Sequence, residues 1–147
     1  MKVHVYDSEL WLPKPVEEVF AFFADASNLQ FLTPDWVNFE ILTPLPIAMH
    51  AGTVIDYKLR IRGIQLRWHT EITVWEAPHR FVDEQKRGPY RQWIHEHRFE
   101  SRDGGTMCTD HVQYAVFGGE LINRLFVWRD VERIFNFRRA KLVERFL

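Results

Sequence analysis

The sequence predicts an α+β domain: an antiparallel sheet of about seven strands, two short helices between the first and second strands, and one long helix at the C-terminus. Three observations carry this. After "DWVNFEIL" and nearly to residue 117 the hydrophobic residues keep a period of two. Turn signals break that run at "MHAG", "RG", "EAPH", "RGPYR" and "RDGG", as in a meander. Helical spacing is confined to the stretch before it and to the residues after about Gly119.

Taken in order, residues 2–12 read as a strand, ended by Pro13 and Pro15. "PVEEVFAFFADA" then sets Val16, Val19, Phe20 and Phe23 at helical spacing, with Pro15 suited to the first turn and Glu17 and Glu18 near its positive end. Asn28 is placed to cap a second helical turn through "LQFLT", which Pro34 stops, and Phe31 and Leu32 are expected in the core. The final segment, "ELINRLFVWRDVERIFNFRRAKLVERFL", makes a helix about 40 Å long at 1.5 Å per residue, enough to cross the sheet. Leu121, Leu125, Trp128, Val131, Phe135 and Leu142 form its expected inward stripe, with Ile122 and Ile134 beside it. Its basic end, Arg138, Arg139, Lys141 and Arg145, reads as a solvated face that complements the helix dipole.

The turns register the strands, and register decides which residues share a face. A two-residue turn at Asp103-Gly104 sets Phe99 against Cys108, His97 against Asp110, His95 against Val112 and Trp93 against Tyr114. Across "RGPYR", pairing Gln85 with Trp93 brings Asp83 opposite His95 and Phe81 opposite His97; a turn at Arg62-Gly63 sets Tyr57 against Trp68. One face then carries Ile55, Tyr57, Leu59, Ile61, Ile64, Leu66, Trp68, Thr70, Ile72, Val74, Phe81, Asp83, Gln85, Trp93, His95, His97, Phe99, Cys108, Asp110, Val112 and Tyr114. The other, with Asp56, Lys58, Arg67, Glu71, Glu84, Glu96, Arg98 and Glu100, is expected to face water.

Four ionisable residues, Asp83, His95, His97 and Asp110, therefore gather on an otherwise apolar face, where a structural core favours Leu or Val. Either they satisfy one another in a dry core, with Asp83 for His95 and Asp110 for His97, or they orient a ligand on a cavity wall among Trp68, Trp93 and Tyr114. His-x-His on a strand also presents two imidazoles to one side, but no third histidine joins them, and no metal or cofactor is expected. A histidine held by an aspartate can shuttle protons, which makes His95, His97, Asp83 and Asp110 the candidate catalytic groups if the protein is an enzyme. Cys108, the sole cysteine, excludes an intrachain disulfide, fits a reducing compartment and reads as a small buried hydrophobe.

Composition narrows the partners. Aromatic residues make up 15% of the chain, with 6 Trp and 12 Phe, and such bulk must pack against itself or a guest. A net charge of −1 with dispersed Lys and Arg argues against nucleic acid. No stretch is apolar enough to span a bilayer and no apolar signal core opens the chain, so a soluble, cytoplasmic protein forming one domain over residues 1–147 is expected.

The order of elements, together with "PVEEVFAFFADASNLQFLTP", "FVDEQKRGPYRQWIHEHRFE" and "GGTMCTDHVQY", resembles the START/Bet v 1-like (SRPBCC) superfamily over essentially the whole chain, in its ligand-binding branch related to polyketide cyclase/dehydrase and lipid transport proteins. The resemblance implies a helix-grip fold, with the sheet curled around the long helix and an apolar tunnel between them. The registered face then becomes the tunnel lining. The ligand-binding set expected is Tyr57, Trp68, Phe81, Asp83, Gln85, Trp93, His95, His97, Asp110, Tyr114, Leu125 and Trp128. The leading expectation is a non-catalytic binder of a small hydrophobic or aromatic, lipid- or polyketide-like molecule. The alternatives are a cyclase- or dehydratase-type enzyme using the His/Asp cluster, and a protein-interaction module with a vestigial cavity that exposes Trp11, Trp36 or Trp75.

Overall fold

The computed structural model describes residues 1–147. Strand β1 (His4–Leu12) ends where Pro13 and Pro15 withdraw backbone donors, and it pairs antiparallel with the last strand of a meander. Between them lie α1 (Val16–Phe23), the single turn α2 (Asn28–Phe31) and a 3-10 turn at Asp35–Val37. The meander comprises β2 (Glu40–Ile41), β3 (Val54–Ile61), β4 (Ile64–Glu76), β5 (Arg80–Arg87), β6 (Gln92–Arg102) and β7 (Gly105–Ala115). The sheet order is β1-β7-β6-β5-β4-β3-β2, a seven-stranded antiparallel sheet gripping a C-terminal helix, as in the helix-grip fold.

Two hairpins turn as their dipeptides dictate. Arg62-Gly63 and Asp103-Gly104 both take positive φ at both positions (52° and 79°, 51° and 74°), the I′ geometry that matches the strands' twist. These turns fix Tyr57 opposite Trp68 and His97 opposite Asp110. Across the longer "RGPYR" loop, Asp83 meets His95 and Phe81 meets His97.

The register departs from expectation in β4. Thr73 is an extra residue between Ile72, which faces Asp83, and Val74, which faces Val82. Such a bulge flips the alternation beyond it, so Trp75, not Val74, opposes Phe81 and packs on Phe20 and Phe81. Trp75 is thus a packing residue, whereas Trp11 and Trp36 are 41% and 39% exposed. Ile64, at the hairpin tip, keeps the alternation of Leu66 and Trp68 but lies beyond the packed part of that face and is exposed. At the end of α2, Leu32 is buried but Phe31 is 38% exposed, and Asn28 is the first helical residue, its side-chain amide donating to the Phe22 carbonyl at 2.8 Å to close the end of α1.

The C-terminal helix is not uniform. It begins as α3 (Gly119–Ile122), widens to a π turn over Asn123–Val127, and continues as α4 (Trp128–Phe146). The sequence-based stripe ran upstream from Val131 in steps of three, to Trp128 and Leu125. The widened turn carries the inward face in steps of four, to Val127 and Asn123. Leu121, Leu125 and Trp128 are therefore 62%, 49% and 42% exposed, while Val131, Phe135 and Leu142 are buried. Asn123 is buried because it bonds the Tyr114 hydroxyl, which donates to its Oδ1 at 2.9 Å.

Packing divides into three groups. Phe20 stands edge-on to Phe81 and Phe99 in the largest, which joins α1 to the sheet and the end of α4. Val112, Tyr114, Val131 and Phe135 form a second, and Val37, Leu59 and Trp68 a third. Members of all three bound one space beneath the helix.

Candidate functional site

That space is a cavity of ≈ 180 Å³. It exceeds the volume of about 150 Å³ that admits a benzene-sized guest and falls short of the roughly 300–1,000 Å³ of drug-sized sites. Nineteen of its 25 lining residues are hydrophobic, and the lining is drawn from α1, α2 and the segments around it, strands β3 to β6 with the loops before β3 and β6, and α4. The alternation of the inner face puts Tyr57, Leu59, Trp68, Thr70, Phe81, Asp83, Trp93, His95 and His97 on the wall together.

The rest of the expected set is placed elsewhere. Leu125 and Trp128 are turned to solvent by the π turn. Tyr114 is buried in the second packing group, held by Asn123. Gln85 serves the hairpin loop: its Nε2 donates to the Tyr90 carbonyl at 2.7 Å and its Oε1 accepts from the Tyr90 amide at 3.1 Å. A Cβ at Gly88 would lie 2.5 Å from Gln85 Oε1, so only glycine leaves room for this clamp. Asp110 shares the face of His95 and His97 but, one strand further along, lines a smaller crevice with Ser8, Cys108 and Arg138.

The four ionisable residues do meet, but along diagonals. Each imidazole reaches past the carboxylate directly across from it: His97 Nε2 donates to Asp83 Oδ2 at 2.6 Å, and His95 Nε2 to Asp110 Oδ1 at 2.7 Å. The directly opposed contacts are longer, 3.8 Å for His95 Nδ1 to Asp83 and 3.6 Å for His97 Nδ1 to Asp110. A side chain as long as histidine covers the diagonal spacing of a sheet, and the rings gain by stacking. His95 lies on His97 with centroids 3.6 Å apart, and Phe81 covers the other face of His97 at 4.0 Å.

Arg138 completes the cluster from the helix. Far from joining a solvated basic end, its side chain is 12% exposed and packs over Phe23, with Nη2 3.6 Å from Asp110 and 3.4 Å from His97 Nδ1. The sequence did carry a signal for it: Arg138 falls between Phe135 and Leu142 at the spacing of the buried stripe. Tyr90, also absent from the expected set, is brought to the wall by the Gln85 clamp and packs on Trp68 and Trp93.

Burial and neighbours set the charges. Burial and the neighbouring His95 lower the His97 pKa to about 4, against the pull of Asp83. Burial works to raise both carboxylates, but for Asp110 the charge of Arg138 and the bond from His95, and for Asp83 the bond from His97 and the charge of His95, hold them below the usual range. At neutral pH His97 is thus a neutral imidazole between ionised carboxylates and a guanidinium. Burial and the nearby Asp110 push the Cys108 thiol up to about 12, which leaves it no thiolate for attack.

Two chemistries are open to this cluster besides mutual satisfaction. Asp83, His95 and His97 offer donor atoms within 4.8 Å of one another, the spacing of a metal site. The two rings, however, lie within 25° of parallel, so their in-plane lone pairs run side by side instead of converging on one ion. Proton transfer fits better, since His97 is neutral, is oriented by Asp83 and forms part of the wall.

Residues 12–141 match the family described as polyketide cyclase/dehydrase and lipid transport. No curated protein matches the chain. Among solved structures, TTHA0849 from Thermus thermophilus is 17% identical, with a TM-score of 0.73 over 97% of this chain and 99% of its own. CV1439 from Chromobacterium violaceum is 13% identical with a TM-score of 0.76 over 97% of each chain. The major latex-like protein 151 of Panax ginseng, 9% identical, gives 0.70 over 99% of this chain and 98% of its own. At these identities the likeness is one of fold.

Proposed function

Because the chain belongs to the family of polyketide cyclases/dehydrases and lipid transport proteins, we propose that it binds a small hydrophobic or aromatic molecule between sheet and C-terminal helix, without chemistry of its own. The observation that carries this reading is an apolar space of ≈ 180 Å³ with ionisable groups along one stretch of its wall. A pure packing role would close such a space with side chains, since interiors leave few voids larger than a water molecule. Residues 1–147 act here as a single domain, and the lone Cys108 suits a reducing, cytoplasmic setting. The test is extraction and mass spectrometry of what the purified protein carries, with ligand-observed NMR of the emptied protein against single-ring hydrocarbons. A copurified apolar compound, or saturable uptake of toluene, supports the reading. A protein that purifies empty and takes up no apolar probe refutes it.

One observation favours a second reading, an acid/base enzyme on a ligand held in the same place: neutral His97 is bonded to Asp83 and faces the cavity. For that reading a His97→Gln variant would keep binding and lose turnover. Absence of turnover across a panel of cyclisable and dehydratable aromatic substrates would count against it.

A further inference from the structure

The opening stretch of the C-terminal helix shows water a face that its sequence would bury. Phe117, Leu121, Leu125, Phe126 and Trp128 follow one another closely in the chain, and every one of them is exposed. The π turn carries the inner face to Asn123 and Val127, which leaves Leu121 and Leu125 on the outer side of the helix with Phe126 and Trp128 on its flanks. Arg62, at the tip of the β3–β4 hairpin, reaches over the Phe126 ring at 5.0 Å and brings exposed Ile64 to the same end of the molecule. Single exposed apolar side chains are ordinary on a protein surface, whereas a gathering of this kind marks a contact surface.

The charges around this patch are mostly of one sign. Arg91 lies over Phe117, 5.8 Å from the ring centre, and Arg124 and Arg129 stand exposed along the helix. The nearby carboxylates are engaged elsewhere: Glu120 pairs with Lys2 at 2.7 Å, and Asp130 is buried against Arg62 at 3.0 Å. Glu132 lies on the β1 flank, where its charge reaches Tyr6. Arg124 feels the charge of Glu120 without an ion pair to it, so Lys2, Arg62, Arg91, Arg124 and Arg129 surround the patch against Glu120 and Asp130 alone.

That imbalance decides the partner. A second copy of the chain would press the same patch onto itself, setting arginine against arginine. The outer side of a helix is also a ridge, which suits a deformable layer better than a rigid flat surface. An anionic lipid surface meets both features, because its headgroups neutralise arginine while the acyl boundary takes up Phe, Leu and Trp side chains. Arg62 over Phe126 and Arg91 over Phe117 already couple a cation to a ring, the combination that straddles the two layers. We propose that this end of the protein docks on an anionic phospholipid bilayer. It lies on the surface, since no helix is long and apolar enough to cross a membrane. The proposal stands apart from what the cavity holds.

The test is co-sedimentation of the full-length protein with vesicles of phosphatidylcholine alone and of phosphatidylcholine mixed with phosphatidylserine. Binding at least about tenfold tighter to the serine-containing vesicles, and release as salt rises toward about 1 M, is the expected result. Each arginine held near such a surface strengthens partitioning about fivefold, so the double variant Arg124→Gln, Arg129→Gln is expected to bind about 25-fold more weakly. Leu125→Glu and Trp128→Glu, both at solvent-facing positions, are each expected to weaken binding at least about tenfold, while Leu147→Glu at the far end of the helix leaves it unchanged. Absence of vesicle binding, or equal binding to both compositions, overturns the proposal. So does a concentration-dependent dimer in analytical ultracentrifugation that Leu125→Glu abolishes, which would assign the face to a second copy. The vesicle series on the unaltered protein decides the matter even if a variant does not fold.

Discussion

Acidification should destabilise this protein well above the range where carboxylates titrate, and His97 is the reason. Its side chain is 5% exposed, stacked between Phe81 and His95, and its pKa falls from 6.5 to about 4. The unfolded chain takes up this proton near pH 6.5, and the folded chain waits until about pH 4. Between those values the unfolded state holds more protons, so stability is lost as pH falls. Linkage gives a loss of about 2 kcal/mol between pH 7.5 and 5, and about 3 kcal/mol by pH 4. For a chain of 147 residues that corresponds to a Tm lowered by roughly 4–8 °C at pH 5. Asp83 and Asp110, held low, contribute stability that is lost only as pH drops below about 4, so their window is separate. Urea unfolding across pH 7.5 to 4.5 measures the slope, and His97→Gln, which keeps a donor for Asp83, supplies the reference. The wild type should lose about 2 kcal/mol more than the variant over the interval to pH 5. Parallel curves for the two proteins would refute the reasoning.

Two other substitutions test the helix. Arg138→Gln removes the guanidinium beside Asp110 and leaves a buried carboxylate short of its partner, for a loss of about 3–5 kcal/mol in chemical denaturation and a raised Asp110 pKa by NMR titration. Leu125→Glu and Trp128→Glu should each change stability by less than about 0.5 kcal/mol, because the π turn has put both in solvent, whereas Phe135→Ala one helical face away should cost about 3–5 kcal/mol.

How much of this was legible in the sequence depends on how locally each feature is encoded. The Arg62-Gly63 and Asp103-Gly104 turns fix register through two residues each, and so Tyr57 against Trp68 and His97 against Asp110 could be read directly. The bulge at Thr73 could not, since nothing in "EITVWEAPH" marks which residue is extra. Placing four ionisable residues on one face needed only alternation. Their partners needed side-chain reach, and the pairs formed along diagonals because imidazoles prefer to stack. The helix was readable from Val131 onward, where its winding is regular. Upstream, the stripe was misplaced because a widened turn breaks the period that the reading assumes. Arg138 was misassigned for a different reason: a charged residue on a basic segment looks solvated until the carboxylate it serves is known to stand opposite.

The widened turn over Asn123–Val127 is, in effect, one surplus residue lodged within a rod. It lets a single helix obey two anchors that a uniform winding could not satisfy together: the Tyr114–Asn123 bond at one end and the burial of Val131 and Phe135 at the other. Excising one residue there should let the rod rewind evenly and swing its opening segment by about 100°. The grip on Tyr114 would go first, and with it the fastening of the helix to the outermost pair of strands.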